Sequence, residues 1–286
     1  MFQAMGRPSW RCKGQRTVKI AKGELNLDRF VVPYRVYGET GRYIVCVNGA
    51  QQTMAAWKSV VSYFSKDYRI VLFDFPGQGR GRVLSGPTAI SFEEQLQVLS
   101  QVVLAQDSPE KFHVVGASWG GVVVAVFASQ HPELVEKIIL ASFSPKTSNR
   151  MLAVLKEGKR LYETGHADQM SALIIDNFGK HLSDAYKEKI SRQFGAIKSE
   201  QLQSFYEHGR LLEDGHSIDE VMEPSKIKAK TLIINGEHDT IMNLEDLDLL
   251  ANRIPNCETK VVEGVGHFLH NEREDILGIY SKFLAS

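Results

Sequence analysis

The sequence predicts an α/β protein in which a mostly parallel, doubly wound sheet carries a helical insertion. Short apolar runs rich in β-branched residues alternate with helical stretches along most of the chain. This alternation is typical of a parallel sheet covered by helices on both faces. It stops between residues 144 and 224, where charged helical stretches replace the strand-like runs. We therefore predict a core at 17–143 and 225–286, a cap segment at 144–224, and a flexible basic tail at 1–16.

The predicted strands are short and mostly apolar. Residues 43–47 and 68–73 are apolar almost throughout, as expected for strands buried on both faces. Glycine or proline turns bound most of the others. The predicted strands are residues 17–20, 30–37, 43–47, 68–73, 112–115, 137–143, 231–235 and 258–262. Six of them precede the cap segment.

The predicted core helices follow from apolar faces and capping signals. Ser91 and Glu94 have the spacing of a capping box, so a helix begins there and continues to about Ala105. Residues 122–127 are valine-rich, but no turn separates them from Gly120, and we predict a buried helix. The other core helices are predicted at 54–64, 244–254 and 275–285. Those of the cap segment are predicted at 151–162, 171–177, 184–194 and 200–212.

Composition excludes several classes of protein. Lys plus Arg and Asp plus Glu both number 34, so zero net charge gives no reason to expect a nucleic-acid or membrane-surface partner. Cys12, Cys46 and Cys257 show no C-x-x-C pattern, which indicates reduced thiols in a cytoplasmic protein. We expect no membrane span, signal peptide, metal site or cofactor. Basic residues precede Glu24; a solvated tail is favoured over a targeting segment.

The candidate nucleophile is Ser118. The strand-like run 112–115 leads directly into Gly116-Ala117-Ser118-Trp119-Gly120, which fits the G-x-S-x-G nucleophile elbow. In an elbow a strand turns abruptly into a helix, with the serine at the tip in a strained conformation. Small residues on both sides of the serine are required because strand and helix pass close together.

Asp239 and His267 each follow another predicted strand. The carboxyl ends of parallel strands form the ligand-binding edge of such a sheet, and the order Ser, Asp, His is that of α/β-hydrolase triads. Histidine can take and return the serine proton, and a carboxylate fixes its tautomer. We predict a triad of Ser118, His267 and Asp239. His270, at the start of the last helix, is the alternative base.

An oxyanion hole needs two backbone N–H groups directed at the developing negative charge. The residue after the nucleophile, Trp119, supplies one of them in this prediction. Ala50, in the loop after the strand at 43–47, supplies the other. Asp74 and the glycine-rich turn after it are interpreted as structural residues of a loop.

From about Tyr43 onward the chain resembles the serine branch of the α/β-hydrolase superfamily. The motifs that carry this resemblance are Phe73-Asp-Phe-Pro-Gly-Gln-Gly79, the elbow at 116–121, the turn at 236–239, and Gly266-His267-Phe268. It implies a twisted sheet of the eight-stranded type, flanked by helices, with a cap inserted after the sixth strand. Serine at position 118 argues against the epoxide-hydrolase and haloalkane-dehalogenase branches.

A narrower resemblance is to bacterial acyltransferases that make 3-hydroxyalkanoyl lipid precursors from acyl-carrier-protein thioesters, as in rhamnolipid and polyhydroxyalkanoate biosynthesis. The segments that carry it are 47–50, 117–121, 142–145, 179–182, 234–237 and 264–269. It implies acyl transfer on medium-chain esters or thioesters through an acyl-enzyme.

Two features of the cap segment bear on the substrate. Its aromatic residues could form an acyl pocket or only the core of the cap; they are Phe178, Phe194, Phe205 and Tyr206. Its basic residues could receive an acyl carrier protein or simply form a solvated helix face; they are Lys146, Arg150, Lys156, Lys159 and Arg160.

The sequence leaves the acyl acceptor open. Water would make the protein an esterase, thioesterase or lactonase, and a second hydroxyacyl chain would make it a transferase. The donor is equally open among carrier-protein thioester, coenzyme A thioester and free ester. A non-catalytic binding protein of the same fold, and cofactor-free C–C bond chemistry with the same triad, are the alternatives.

Overall fold

The computed structural model describes residues 19–195 and 218–286. These residues form a nine-stranded sheet in the order β1-β2-β4-β3-β6-β7-β8-β9, with the short β5 paired to β2 outside this path. β1 and β2 are antiparallel, and the pairs from β4 to β9 are parallel. The strands are β1 (Ile20–Leu27), β2 (Phe30–Tyr37), β3 (Tyr43–Val47), β4 (Arg69–Phe73), β5 (Arg82–Val83), β6 (Phe112–Ala117), β7 (Val135–Ala141), β8 (Lys230–Gly236) and β9 (Cys257–Val262).

Helices cover both faces of the sheet, which confirms the predicted fold class. The α-helices are α1 (Lys58–Phe64), α2 (Phe92–Leu104), α3 (Trp119–Gln130), α4 (Asn149–Glu163), α5 (Met170–Asn177), α6 (Asp184–Gly195), α7 (Leu247–Ala251) and α8 (Ile276–Ala285). Alternate residues of the strands face opposite sides, so Val45 packs with α2, α3 and α7, while Ile44 packs with α1 and α8. The valine-rich α3 is buried along most of its length, as predicted.

Ser91 begins α2 with the predicted capping box, because its hydroxyl accepts from the Glu94 N–H and the Glu94 carboxylate accepts from the Ser91 N–H. The first predicted strand, 17–20, was wrong in extent, since β1 covers Ile20–Leu27. β1 is an exposed strand paired only with β2 on this path, so it lacks the apolar pattern of a buried strand.

The helix predicted at 244–254 was too long, because α7 covers only Leu247–Ala251. The Asn243 side chain accepts from the Glu245 N–H at 3.1 Å and donates to Asp246 at 3.2 Å, which holds residues 243–246 in a turn. The helix predicted at 200–212 lies outside the described residues.

The cap segment lies between β7 and β8, after the sixth strand when the short β5 is set aside. Its helices α4, α5 and α6 share a small apolar cluster that includes Leu161, Ile174 and Ile190. A second cluster packs α4 against Ile241, beyond the end of β8. α4 therefore packs at the edge of the sheet where the parallel strands end. Within the described ranges, no helix is long and apolar enough to cross a membrane.

Candidate active site

Ser118 lies at the junction of β6 and α3 with φ 53° and ψ −121°. Such a conformation costs a non-glycine residue about 1–3 kcal/mol and persists only where the surroundings enforce it. The Ser118 N–H donates to the Ala141 carbonyl at 2.8 Å. A Cβ on Gly120 would lie 2.3 Å from the Val47 carbonyl oxygen, and one on Gly116 would lie 2.3 Å from that of Gly120. The close approach expected of an elbow is therefore present.

His267 and Asp239 are in contact. The Nδ1 atom of His267 lies 2.8 Å from Oδ2 of Asp239, and both residues are buried. The other carboxylate oxygen of Asp239 accepts from the N–H groups of Ile241, at 3.2 Å, and Met242, at 3.4 Å. A carboxylate can only accept, so the imidazole proton resides on Nδ1 and Nε2 is left as the basic nitrogen.

Two residues outside the predicted set hold the loop of His267. The Ser142 hydroxyl, just after β7, donates to the His267 carbonyl oxygen at 2.5 Å. The Glu272 carboxylate accepts from the N–H of Gly266 at 2.6 Å and from that of Phe268 at 3.0 Å. The backbone on both sides of His267 is therefore fixed by one carboxylate. The five-residue spacing of Glu272 from His267 is the only trace of this role in the sequence.

Asn48 and Asp74 are buried and anchor the loop that carries Ala50. The Asn48 amide oxygen accepts from the Trp57 indole at 2.8 Å, and its NH₂ donates to the Phe73 carbonyl at 2.9 Å. Asp74 accepts from the N–H groups of Met54 at 2.7 Å and Arg80 at 3.0 Å. Burial raises the pKa of Asp74, while these hydrogen bonds oppose that shift.

The backbone groups proposed to hold an oxyanion belong to residues that line one cavity with Ser118. Trp119 is the first residue of α3, where helix N–H groups have no acceptor within the helix. Its indole is fixed by a 2.7 Å hydrogen bond to the Gln95 side chain. Among the described residues, no hydrogen bond from the Ala50 N–H is present. Ala50, Ser118, Trp119 and His267 all line the same cavity.

That cavity has a volume of about 340 Å³, and its walls are mainly apolar. This is near the lower end of the range for small-molecule sites, about 300–1,000 Å³. Phe178 and Phe194 both line it and also pack in the apolar cluster of the cap segment. The Phe178 ring meets the His267 ring edge-on at 5.0 Å. Phe205 and Tyr206 lie outside the described residues.

The basic residues of the cap segment differ in their partners. Lys146 lines the cavity and forms an ion pair with Asp246 at 3.4 Å. Arg160 pairs with Glu157 at 2.6 Å on the surface of α4. The remaining members, Arg150, Lys156 and Lys159, are exposed, and no acidic side chain within the described ranges forms an ion pair with them.

His270 is buried and stacks on Trp57 with ring centroids 5.3 Å apart. Burial lowers the pKa of His270 to about 4, so its ring is neutral at pH 7. The described residues show no hydrogen bond between His270 and Asp239, and His267 alone of these two histidines has a carboxylate on its ring nitrogen.

A family model described as the alpha/beta hydrolase fold matches residues 43–274. The (R)-3-hydroxydecanoyl-ACP:CoA transacylase of Pseudomonas putida is 27% identical over 250 residues, which cover 84% of this chain and 83% of that protein. The human monoacylglycerol lipase ABHD6 is 27% identical over 248 residues, covering 80% of this chain and 71% of that protein.

Solved structures show the same fold. An α/β-hydrolase enzyme, MGS-M2, from a Medee basin deep-sea metagenome library superposes with a TM-score of 0.79 at 19% identity, covering 92% of this chain and 98% of the other. The enol-lactonase of Burkholderia xenovorans LB400 superposes with a TM-score of 0.76 at 20% identity, covering 92% of this chain and 100% of the other. These similarities and the transacylase relative confirm both resemblances inferred from the motifs.

Proposed function

Because this chain is an enzyme of the α/β-hydrolase family, we propose that it transfers an acyl group from an ester or thioester through a Ser118 acyl-enzyme. The observation that carries the proposal is the cavity wall, on which Ser118, Ala50 and the Asp239-bound His267 meet. Ser142 is also strained and lines this cavity, but its hydroxyl donates to the His267 carbonyl oxygen, and Ser118 is the one that stands at the turn from β6 into α3.

The reaction follows from these positions in two steps. The Ser118 hydroxyl attacks the carbonyl carbon, and its proton passes to Nε2 of His267, while Asp239 stabilises the imidazolium. The N–H groups of Ala50 and Trp119 hold the oxyanion. Collapse of the intermediate expels the thiol or alcohol, which takes the proton from His267. An acceptor O–H or S–H then gives its proton to Nε2 and attacks the acyl-enzyme, which regenerates Ser118.

We propose that the acyl group is medium-chain and that the cap segment, residues 144–224, encloses it. The apolar walls and the volume of the cavity, about 340 Å³, support a chain of this class. Phe178 and Phe194 are the aromatic residues proposed to contact it, and Phe205 and Tyr206 stay part of the same proposal from the sequence. The relative named as a 3-hydroxydecanoyl-ACP:CoA transacylase supports a 3-hydroxyacyl thioester as the donor.

The partner proposed from the sequence is an acyl carrier protein at the basic residues of the cap segment. Arg150, Lys156 and Lys159 support this proposal, because they are exposed and without an ion pair in the described part of the chain. Carrier proteins act in the cytoplasm alongside acyl synthesis, and the free thiols of Cys46 and Cys257 accord with that location. Reversing these three charges should raise KM for a carrier-bound thioester and leave KM for a pantetheine thioester unchanged.

A hydrolase that uses water as the acceptor is the second candidate. It is favoured by the monoacylglycerol lipase relative, which matches the chain at the same 27% identity. Product analysis separates the two. Incubation with a 3-hydroxydecanoyl thioester should give a new thioester or a dimeric 3-hydroxyacyl ester if the enzyme is a transferase. Free acid as the sole product, with coenzyme A and excess hydroxyacyl thioester present, would overturn the transferase proposal.

A fluorophosphonate probe tests the reaction centre itself. We expect the probe to label the wild-type chain and not the Ser118→Ala variant, because only an activated serine displaces its fluoride. Ser129→Ala, which removes a buried hydroxyl of α3, is the matched control and should be labelled like wild type. If neither the wild type nor the control is labelled, a non-catalytic binding protein is the better description.

A further inference from the structure

One hydrogen bond joins the cap segment to the loop of Ala50. The side-chain NH₂ of Gln193, on α6, donates to the backbone carbonyl of Gln51 at 2.5 Å. Gln51 directly follows Ala50, the proposed oxyanion donor. The bond therefore acts on the Gln51–Gln52 peptide, two peptide units after the one that carries the Ala50 N–H, although Gln193 lies 142 positions further along the chain.

Gln51 has a conformation that needs external support. Its φ is 58°, in the left-handed region, and the residue is only 5% exposed. A side-chain-bearing residue in this region is strained by about 1–3 kcal/mol, so the surroundings must hold it there. The hydrogen bond from Gln193 to the Gln51 carbonyl supplies part of this support, because a hydrogen bond to a buried group stabilises the conformation in which it forms.

Hydrogen bonds within the loop hold the residues on either side of Ala50 and Gln51. The Gln52 side-chain oxygen accepts from the Gly49 N–H at 3.0 Å, and the Gln52 N–H donates to the Gly49 carbonyl at 3.1 Å. The second bond links the Gln51–Gln52 peptide to the Gly49–Ala50 peptide, which carries the Ala50 N–H. The carbonyl of the Gln51–Gln52 peptide accepts a hydrogen bond from Gln193 of α6. The loop of Ala50 is thus held by its own hydrogen bonds and by one from α6.

The same helix also reaches the loop of the proposed base. The hydroxyl of Tyr186, on α6, donates to the Asn271 side chain at 2.6 Å, four residues after His267. Gln193 and Tyr186 also line the cavity with Ser118. An acyl chain packed in the cavity would therefore touch the helix that holds both loops.

We propose that Gln193 is a positioning residue for the oxyanion hole, so that the placement of α6 on the core sets the orientation of the Ala50 N–H. This inference rests on the proposed acyl transfer at Ser118. Its consequence is that the cap segment contributes to the rate of the chemical step as well as to substrate binding.

Gln193→Met tests the inference, because methionine has a similar length and volume but no N–H donor. Loss of an oxyanion donor costs about 10²–10³ in kcat, so a misoriented donor should cost about tenfold. We expect this tenfold fall in kcat on a p-nitrophenyl octanoate substrate, with KM unchanged. Gln169→Met, at an exposed position before α5, is the matched control and should keep the wild-type kcat.

A pair of inhibitors distinguishes whether Gln193 orients the Ala50 N–H or only binds the acyl chain. An octanoyl trifluoromethyl ketone forms an oxyanion on Ser118, whereas the corresponding methyl ketone binds only as a ground-state ligand. Gln193→Met should weaken the trifluoromethyl ketone about tenfold and leave the methyl ketone unchanged. This ratio is measured on folded protein alone, so reduced stability of the variant does not alter it.

Two outcomes would overturn the inference while the proposed function stands. One is a Gln193→Met variant with wild-type kcat and wild-type inhibitor ratio. The other is equal weakening of both ketones, which would limit Gln193 to holding the acyl chain. A wild-type chain that neither hydrolyses the ester nor binds the trifluoromethyl ketone more tightly than the methyl ketone would overturn the proposed function, and this inference with it.

Discussion

Replacement of Asp239 by asparagine is the sharpest single test of the proposed base. Asparagine has the same shape, and the structure fixes how its amide must lie. The position of Oδ1 accepts two backbone N–H groups, from Ile241 and Met242, so it requires the amide oxygen. The NH₂ group then occupies the position of Oδ2, 2.8 Å from Nδ1 of His267.

This orientation forces the wrong tautomer on His267. The NH₂ group donates, so Nδ1 must accept and the ring proton moves to Nε2. In the proposed reaction, Nε2 is the atom that takes the proton of Ser118. The alternative flip would place the NH₂ against two backbone donors, and each lost hydrogen bond to a buried group costs about 1–3 kcal/mol.

The magnitude follows from the tautomer. When the triad aspartate of a serine protease is replaced by asparagine, kcat falls about 10⁴-fold, which corresponds to about 5 kcal/mol at 1.36 kcal/mol per tenfold. The flip that would restore the tautomer costs a comparable energy, so we expect kcat of Asp239→Asn to fall about 10³- to 10⁴-fold. The fold should remain intact, because the substitution keeps both backbone hydrogen bonds.

The assay is steady-state hydrolysis of p-nitrophenyl octanoate, with the thermal unfolding midpoint measured on the same samples. Asp248→Asn, an exposed carboxylate in α7, is the control and should match wild type. Activity of Asp239→Asn within tenfold of wild type, in a folded protein, would refute the assignment of Asp239 as the orienting acid.

Three further predictions test the supports of the site. Gly120→Ala should lower the free energy of unfolding by about 2 kcal/mol or more, because its Cβ would lie 2.3 Å from the Val47 carbonyl oxygen. Urea denaturation measures this change. Unchanged stability would contradict the close approach of Gly120 to the Val47 backbone. Glu272→Gln should lower kcat about tenfold, since an amide can accept from only one of the two N–H groups that flank His267. A pH–rate profile measures this change. An unchanged kcat would show that Glu272 does not position His267. His270 has a folded-state pKa lowered from 6.5 to about 4, so it contributes stability above pH 6.5 that is lost as the pH falls towards 4. That contribution is up to about 3 kcal/mol, so His270→Phe should show a correspondingly shallower fall in unfolding free energy across this range; identical pH slopes would show that His270 does not remain neutral in the fold.

Several elements could be predicted from the sequence because their causes are local. The capping box of Ser91 and Glu94 begins α2, and the valine-rich segment after Gly120 is a helix because the chain must turn there without room for a loop. Other bounds were wrong where a side chain intervened, as at Asn243, whose hydrogen bonds hold a turn ahead of α7. Local pattern does not show which side chain will compete with the helix.

For the candidate site too, some features could be predicted from the sequence and others come only from the structure. Ser118, Asp239 and His267 were predicted as a set from their order and from their positions after strands, because parallel strands bring their carboxyl ends to one edge. The distance from His267 to Asp239, 2.8 Å, and the cavity that His267 shares with Ser118 come from the structure. The residue types in the sequence indicate which chemical groups the site contains, and the fold determines the contacts between them.

The sequence by itself thus determined the fold class, the elbow and the chemical identity of the proposed triad, since these depend on residue type and on order along the chain. Only the tertiary structure decided what holds those groups in place. Ser142 and Glu272 bind the backbone of the His267 loop, and Gln193 binds the backbone of the Ala50 loop. Their roles depend on distances between segments remote in sequence, which packing sets and which no local pattern records.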